Sequence, residues 1–449
     1  MDSPDRVVLL DFSSEKNRGD AAMQVGLLNL VTKYFPNSTI SVISVIGANQ
    51  QELIEDEHDH SSKYPINILG GLKPTFYSPE KDKSILIIEI KQALTFLLNV
   101  LFLFLVIIKV PFTILAKLLP KSFRSTLSEL KEADLIIWKG KNFRKRKNNI
   151  LDFYRLFAQV YHPIICIALS KPIACISASV WHLKNPLSRK LLKWVFRKCV
   201  LVSVRENNSY KEAKKLLKTS ADPILHLLPD LSFAVYEQAQ IYEKAASQLS
   251  NLEKPSAIGL TIVDWMNDGE EARENYKDTL LEIVDHYLRN HIKIVVIPQV
   301  TKKWEAYDSI LVDILKETGN PEKIEVLKGD PDIYNLFSIY SDIDLLIATR
   351  MHSAIFSAFV GTPLVAIPYD KGGKWNIIKD LGYEKQMINY TDVTFEKVLS
   401  EVDYCWKNRL EMMNIRKKMI QQYADIVEKN ISLLRDHSLS FKRISIEGR

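Results

Sequence analysis

An arginine and a histidine stand two positions apart in the last third of this chain, directly after an apolar run. The run Leu345–Ala348 has the composition of a buried strand, and Thr349, Arg350 and His352 follow it. The arginine side chain presents a rigid fork of donors that suits a carboxylate or a phosphate. An imidazole can give or take a proton near neutral pH. The spacing therefore predicts an anion site with a proton-transfer group beside it.

The elements around this pair predict where it lies. Small and apolar residues over Ser353–Phe359 recur at helical spacing, Gly361 and Pro363 end that helix, and Leu364–Ile367 begins another strand. In an open parallel sheet, ligands bind at the carboxyl ends of the strands, and the free amides of the next helix point to the same place. The alternative is a surface arginine beside a structural histidine.

A basic, glycine-containing loop follows the second strand and adds charge at the same edge. It contains Lys371 and Lys374 on either side of Gly372 and Gly373. We expect one of the two lysines to lie near the anion.

The run RMHSAIFSAFVGTPLVAIPYDK, which begins at Arg350, resembles the C-terminal signature of the polysaccharide pyruvyl transferases. Asn17 with Gly19-Asp20 is similar to the start of that family, and SVRENNS over 203–209 is similar to its SVRE..S motif. The resemblance implies a two-domain fold like that of GT-B glycosyltransferases. It also implies transfer of pyruvate from phosphoenolpyruvate onto sugar hydroxyls, with no metal or cofactor for donor binding.

The resemblance also implies roles for individual residues. His352 becomes the general acid or base, and Lys371, or Lys374 in its place, neutralises the departing phosphate. Arg350 and Arg205 are expected to bind the anionic groups of the phosphoenolpyruvate donor. The full set of expected substrate-binding residues is Arg205, Arg350, Asn17, Asp20, Lys374 and Gln299. Two alternatives stay open: Arg205 pairs internally with Glu206 or an aspartate, and Asp20 only caps its helix.

Length and composition bound the class of protein. A chain of 449 residues with 47% hydrophobic and 25% charged residues is most simply two globular domains. The net charge of +6 suits acidic small molecules or an anionic membrane surface, and without a motif it does not indicate nucleic acid. The four cysteines lack metal-site spacing, and the N-terminus enters a strand directly. We expect a reduced, cytoplasmic protein.

Strand and helix patterns alternate along the chain and predict an α/β fold with two Rossmann-like domains facing a cleft. Residues 1–235 form the expected N-terminal, acceptor-side domain, with an apolar helical insertion at about 86–120. Residues 255–395 form the expected donor-side domain, and helices over 396–449 are expected to pack across both. The first strand and helix lack the repeated glycines of a dinucleotide site.

The apolar insertion has two interpretations. Ala93–Ile108 is uninterrupted over roughly 16 residues, short of the roughly 20 that cross a bilayer, before Lys109 and Pro111 break it. It is either a monotopic element or a buried helix. Basic residues follow it, and so does the cluster WKGKNFRKRKN. The cluster indicates peripheral contact with anionic lipid on the inner face of the cell membrane or binding of a phosphorylated acceptor, and the alternative is a solvated loop.

Three further features carry smaller expectations. His58 and His60 in EDEHDHSS indicate a solvated loop rather than a metal site. His182, after a strand, is an idle loop histidine or a residue that reaches the cleft. Lys141 stands where the similar family usually has glycine, which is a departure from the family pattern in that loop.

The leading hypothesis is a pyruvyl transferase acting on an exopolysaccharide or cell-wall polymer precursor. Phosphoenolpyruvate is the expected donor, and the expected acceptor is a sugar of a polysaccharide or of a lipid-linked glycan precursor. The alternative is a GT-B glycosyltransferase whose nucleotide diphosphate would occupy the same helix N-terminus. A third hypothesis is a membrane-associated scaffold without activity.

Overall fold

Two compact units, each built on a parallel sheet, make up the computed structural model. The first unit comprises Met1–Glu15, Gln24–Leu231 and Val427–Arg449, and the second comprises Lys16–Met23 and Ser232–Ile426. The structure describes residues 4–73, 85–143, 150–217, 224–239, 249–264, 269–301, 309–318, 321–369 and 373–435.

The first unit contains an eight-stranded sheet, and the strand pairings among its described residues are parallel. The strand order is β3-β2-β1-β4-β6-β7-β8, and β5 pairs with β6. The strands are β1 (Arg6–Phe12), β2 (Thr39–Gly47), β3 (Asn67–Gly71), β4 (Leu135–Lys139), β5 (Asn142–Phe143), β6 (Ile173–Val180), β7 (Leu201–Val204) and β8 (Ile224–Leu227). Most strand residues are buried, since helices cover both faces of such sheets.

The helices that alternate with these strands include a long apolar one. They are α1 (Arg18–Tyr34), α2 (Gln51–Glu57), α3 (Ile85–Ile107), α4 (Phe112–Leu118), α5 (Lys121–Glu132), α6 (Ile150–Ala168), α7 (Pro186–Lys198) and α8 (Asn207–Leu217). Helices α3 and α4 form the apolar insertion that the sequence predicts.

The second unit contains a five-stranded parallel sheet of order β11-β10-β9-β12-β13. Its strands are β9 (Ala257–Thr261), β10 (Lys293–Val296), β11 (Ile324–Val326), β12 (Leu345–Ala348) and β13 (Leu364–Ala366). Its helices are α9 (Glu270–Arg289), α10 (Ser309–Glu317), α11 (Ile333–Ser341), α12 (Met351–Val360), α13 (Asn376–Ile378), α14 (Phe395–Lys407) and α15 (Arg409–Val427).

Both sheets reverse their strand order beside their first strand. In the first unit β1 lies between β2 and β4, and in the second β9 lies between β10 and β12. The carboxyl edge at such a reversal is the usual ligand site of a parallel sheet. The end of β12, where the sequence predicts the anion site, lies at this point of the second sheet.

The division between the units falls at Leu231, near the boundary at 235 that the sequence predicts, but two segments are assigned differently. Lys16–Met23 lies within the expected N-terminal domain and yet belongs to the second unit. Helices α14 and α15 belong to the second unit as far as Ile426, and the chain after that belongs to the first.

A buried carboxylate organises the carboxyl end of β1. Asp11 has left-handed backbone (φ 65°), and its side chain accepts hydrogen bonds from Trp138 Nε1 at 3.0 Å and His162 Nδ1 at 2.6 Å. Lys141 Nζ donates to the Asp11 carbonyl at 2.8 Å. Burial alone would raise the pKa of Asp11, but Lys141 and His162 hold it well below its usual value. Lys141 therefore anchors the strand end where the family usually has glycine.

The histidine-containing stretch after α2 is buried, so the expectation of a solvated loop is wrong. His58 is 1% exposed and its Nε2 lies 2.7 Å from Ser44 Oγ. The Glu15 carboxylate accepts hydrogen bonds from the backbone amides of His60 at 2.7 Å and Ser61 at 3.2 Å. Ser44 and Glu15 thus supply partners to His58 Nε2 and to two backbone amides of this stretch, a pairing between distant segments that local hydrophilicity does not reveal.

Acid should destabilise the protein through His58. Burial, with a smaller contribution from Lys139, lowers the pKa of His58 to about 4 in the folded state. Below pH 6.5 the unfolded chain therefore takes up a proton that the folded chain does not, and stability falls as the pH drops towards 4. At pH 5 this costs about 2 kcal/mol.

We expect His58→Gln, which keeps a donor for Ser44, to lose less stability between pH 7 and pH 5 than the unchanged protein. Urea unfolding midpoints at the two pH values measure this. The control is His182→Gln, because that side chain is 61% exposed. An equal loss of stability in His58→Gln and in the unchanged protein would contradict the assignment.

Candidate functional site

Two threonines join the carboxyl ends of β9 and β12. Thr349 Oγ1 donates to the Thr261 carbonyl at 2.6 Å, and the Thr349 amide donates to Thr261 Oγ1 at 3.0 Å. Both residues are fully buried. The turn that follows β12 therefore starts from a fixed position.

Arg350 occupies the N-cap position of α12 with extended backbone. Ser353 Oγ donates to the Arg350 carbonyl at 2.5 Å and lies 3.0 Å from Thr261 Oγ1, which ties the first helical turn to β9. The Arg350 side chain is half-buried, and its Nε lies 3.5 Å from the Ile262 carbonyl. A guanidinium and the amides of a helix N-terminus thus lie at the carboxyl edge of the sheet, an arrangement suited to an anion.

Tyr276 lies beneath this edge. Burial raises its pKa to about 12, although the positive charge of Arg350 acts in the opposite direction. The amide of Val263 donates to the Tyr276 hydroxyl oxygen at 3.4 Å. The tyrosine therefore remains a neutral hydroxyl near neutral pH, and it adds no negative charge that would compete with an anion at Arg350.

The imidazole of His352 packs directly on Gly19. A Cβ placed on Gly19 would lie 2.1 Å from His352 Nδ1, a distance that excludes any side chain there unless the ring moves. The centroid of the His352 ring also lies 6.1 Å from that of the Phe356 ring. The glycine of the Asn17–Asp20 motif and the histidine after β12 are therefore parts of one arrangement within the second unit.

Backbone hydrogen bonds fix the segment that carries Gly19. Asn17 forms an antiparallel bridge with Val300, and the Arg18 amide donates to the Gln299 carbonyl at 3.1 Å. The Asn17 side chain accepts hydrogen bonds from the amides of Gly19 at 3.1 Å and Asp20 at 3.4 Å. Asn17 therefore caps α1. The sequence analysis left this role open for Asp20, which instead lies in the first turn of the helix.

Arg18 is a positioning residue that the sequence analysis missed. Its guanidinium is buried and donates to the carbonyls of Pro298 and, at 3.0 Å, Gly329. Burial lowers its pKa, with Tyr340 and Asp330 acting the other way. A basic residue between the matched asparagine and glycine was the only signal in the sequence, and its carbonyl partners lie about 300 positions away.

Other predicted residues have internal partners. Gln299 is buried, and its Nε2 donates to the Tyr340 hydroxyl at 2.6 Å. Lys374 is buried too, and its Nζ donates to the Tyr369 hydroxyl at 2.5 Å. Lys371 lies outside the described residues. Direct contact of these three with a substrate stays a prediction.

Arg205 lies in the first unit, directly after β7, and its guanidinium is buried and donates hydrogen bonds to four side chains. Nη1 donates to Asp230 at 2.6 Å, Nε to Ser179 Oγ at 2.8 Å and to Glu206 at 3.1 Å, and Nη2 to Asn142 at 3.2 Å. Burial lowers the pKa of Arg205, but the two carboxylates outweigh it and raise the pKa above its usual value. The internal pairing left open by the sequence is present, and donor binding by Arg205 stays a prediction.

The structure therefore brings together Arg350, His352 and, through Gly19, the Asn17–Asp20 motif. Among the residues that the structure describes, no group of three or more histidine, cysteine, aspartate or glutamate side chains is arranged to hold a metal ion. The chemistry available at the end of β12 is anion binding beside an imidazole.

Sequence comparison identifies related proteins. The family model for polysaccharide pyruvyl transferase matches residues 17–371, which include every predicted site residue except Lys374. The amylovoran biosynthesis protein AmsJ of Erwinia amylovora is 19% identical over 313 residues, covering 68% of this chain and 72% of that protein.

Solved structures at low identity share the fold. HepE of Anabaena in complex with UDP-glucose is 13% identical with a TM-score of 0.53, covering 97% of this chain and 99% of that one. A glycosyltransferase from Rickettsia africae is 11% identical with a TM-score of 0.54, covering 97% and 98%. The neighbours include GT-B glycosyltransferases, which confirms the predicted class: α/β, with a parallel sheet in each of two units.

The packing of His352 on Gly19 predicts the effect of Gly19→Ala. The added methyl must displace the imidazole, whereas helix α1 should gain slightly because alanine is the better helix former, by about 1 kcal/mol. We expect an unfolding temperature within a few degrees of the original and a changed imidazole signal for His352 in a proton–nitrogen NMR spectrum.

His352→Gln assigns that signal, and Asn29→Ala, in the same helix but further along it, is the control for the substitution itself. An unmoved His352 signal in Gly19→Ala would contradict the close packing.

Proposed function

This chain belongs to the polysaccharide pyruvyl transferase family, and we propose that it moves pyruvate from phosphoenolpyruvate onto sugar hydroxyls of a polysaccharide or lipid-linked glycan precursor, forming a ketal. The observation that carries the proposal is the placement of Arg350 at the N-cap of α12 and of His352 in its first turn. Family membership makes the protein a transferase, and the donor is the part that we propose.

Phosphoenolpyruvate carries a carboxylate and a phosphate, and Arg350 is suited to bind one of them. Its planar fork matches two anionic oxygens at once, and the amides of the first α12 turn add partial positive charge. Because Arg350 is half-buried, its attraction for an anion is screened less than that of a surface arginine.

His352 is suited to handle the proton. Transfer begins when the methylene carbon of the donor gains a proton and becomes a methyl group, which leaves positive charge at the central carbon. One sugar hydroxyl adds there and loses its proton. The bond from that carbon to the phosphate oxygen then breaks, and its electron pair leaves with the phosphate. A second hydroxyl adds to the same carbon and loses its proton, which closes the ketal. The products are the ketal and inorganic phosphate. An imidazole fixed beside an anion site can supply the first proton or accept the later one.

Lysine and amide side chains complete the proposed site. Lys371 or Lys374 would neutralise the departing phosphate, and Asn17, Asp20 and Gln299 would orient the substrates. The Asn17 side chain and the Gln299 carbonyl support an indirect role, since they accept hydrogen bonds from the amides of Gly19 and Arg18 in the segment on which His352 packs.

A nucleotide sugar is the alternative donor. A helix N-terminus with an arginine at its cap also suits a nucleotide diphosphate, and the HepE structure holds UDP-glucose. Titration with both donor types separates the two.

We also propose peripheral membrane contact through α3 and α4. Both helices expose large apolar side chains to solvent, among them Leu98 at 65%. The exposed apolar residues of this region are Leu94, Leu97, Leu98, Val100, Leu101, Phe104, Ile107, Ile108, Ile114 and Leu118. Exposed basic residues follow on the same segment: Lys109, Lys117, Lys121 and Arg124.

Apolar side chains beside lysines and arginine match the surface of an anionic bilayer. Within the described part of the chain, no helix has the length and apolarity to cross a membrane. The exposed apolar side chains support the monotopic interpretation of the insertion over the buried one.

Phosphoenolpyruvate should raise the unfolding temperature, because a ligand that binds only the folded state stabilises it by about 2.7 kcal/mol at 100 times its Kd. Arg350→Ala should abolish this shift, and Arg350→Lys, which keeps the charge but loses the fork, should reduce it. Arg289→Ala is the matched control, since that side chain is 80% exposed on α9.

A shift with UDP-glucose or UDP-GlcNAc and none with phosphoenolpyruvate would replace the proposed donor by a nucleotide sugar. An undiminished shift in Arg350→Ala would remove that residue from the site.

Flotation with vesicles tests the membrane proposal. We expect binding to vesicles containing anionic lipid, weaker binding at high salt, and an approximately fivefold or greater loss in the triple variant Leu97→Gln, Leu101→Gln, Phe104→Gln. The same kind of change at exposed apolar residues elsewhere, Leu410→Gln with Ile415→Gln and Ile426→Gln, is the control. Equal binding by both triple variants would end this proposal.

A further inference from the structure

A groove in the first unit lies between α7, α8 and the loop after β6. Its volume is about 550 Å³, within the range of ligand pockets. Val180, the last residue of β6, and Trp181–Leu183 line one end. The groove therefore opens at the carboxyl edge of the sheet, where parallel sheets bind ligands.

Positive charge dominates the groove. Four cationic side chains line it, against the single carboxylate of Glu212: Arg189, Lys190, Lys193 and Lys215. The three on α7 are spaced three and four positions apart and so share one side of that helix. This lining complements a ligand that carries more than one negative charge.

Glu212 does not cancel the charge on α7. Its carboxylate lies 2.7 Å from Lys215 Nζ and 3.4 Å from His182 Nδ1. Lys215 lies on α8, like Glu212 itself, and His182 lies on the loop after β6. In the part of the chain that the structure describes, no carboxylate pairs with Lys190 or Lys193. His182, which the sequence left as idle or reaching the cleft, lines this groove.

The amides at the start of α7 are already used. Asn185 caps the helix, and its side chain accepts hydrogen bonds from the amides of Leu187 at 2.9 Å and Ser188 at 3.0 Å. An anion in the groove would therefore be bound by the lysine and arginine side chains. Such binding is strong only for a ligand of high charge density, such as a diphosphate.

Apolar groups adjoin the cations. Trp181, Leu183 and Leu216 are in the lining. On α7 itself, Leu187 and Trp194 are exposed and seven positions apart, so they lie on one face of the helix. A ligand that joins a diphosphate to a long hydrocarbon chain matches both kinds of surface.

We propose that this groove binds the diphosphate of a prenyl diphosphate-linked glycan, an inference that rests on the proposed lipid-linked acceptor. The cations hold the diphosphate, the hydrocarbon chain leaves along Leu187 and Trp194, and the glycan extends from the groove with Trp181 as an aromatic platform. The groove thus recognises the carrier of the acceptor.

Calorimetric titration with farnesyl diphosphate tests the inference. We expect binding that weakens as salt rises from 50 to 300 mM, and a Kd about tenfold higher in Lys190→Ala/Lys193→Ala. The matched control is Lys211→Ala/Lys214→Ala, which removes the same charge from exposed positions of α8 that do not line the groove. Its Kd should stay within about twofold of the original.

Inorganic pyrophosphate and farnesol, titrated separately, should each bind more weakly than farnesyl diphosphate. Pyrophosphate binding as tightly would overturn the role of the hydrocarbon chain. Equal weakening by the two double variants, or no binding of farnesyl diphosphate, would overturn the groove as the site.

The test of the groove gives a result that is independent of the test of phosphoenolpyruvate binding. Lys190→Ala/Lys193→Ala should keep the thermal shift caused by phosphoenolpyruvate, because Arg350 is unchanged. If phosphoenolpyruvate caused no thermal shift in the unchanged protein, the proposed function would be contradicted. The binding of farnesyl diphosphate to the groove would still be tested, because calorimetry measures it independently.

Discussion

The contact between the His352 ring and Gly19 is the constraint on which the candidate site depends. It requires a residue without a side chain at one position and a fixed backbone on both sides. Thr261 and Thr349 fix one side, by joining two strand ends. Buried Arg18, bonded to two distant carbonyls, fixes the other. The imidazole therefore packs against backbone that is fixed on both sides, an arrangement suited to the proton transfer that we propose for it.

The sequence predicted the parts of this arrangement that depend on local pattern. The apolar run of β12, the polar turn after it and the glycine that ends α12 appear as expected, because burial and helix capping act over a few residues. Arg18 and His58 could not be predicted in the same way. Their burial depends on partners from distant segments, and a hydrophilic sequence gives no sign of which polar groups will satisfy one another.

Charged residues divide into two populations in this protein. Arg18 and Arg205 are buried and bonded to carbonyls or carboxylates, so they hold segments in place. Lys190 and the basic residues after α3 are exposed, so they remain available to anions and their attraction depends on salt. The net charge of +6 does not reveal this difference, because it counts buried structural arginines and exposed basic residues alike.

Lys141 and Asp11 have an evolutionary consequence. Exchanging the lysine alone for the glycine usual in the family would remove a hydrogen bond to the Asp11 carbonyl. It would also remove the positive charge that contributes most to lowering the pKa of this buried carboxylate. Asp11 in turn tolerates left-handed backbone only while its neighbours hold it. Lineages should therefore change these positions together or not at all, so that the two co-vary among close relatives.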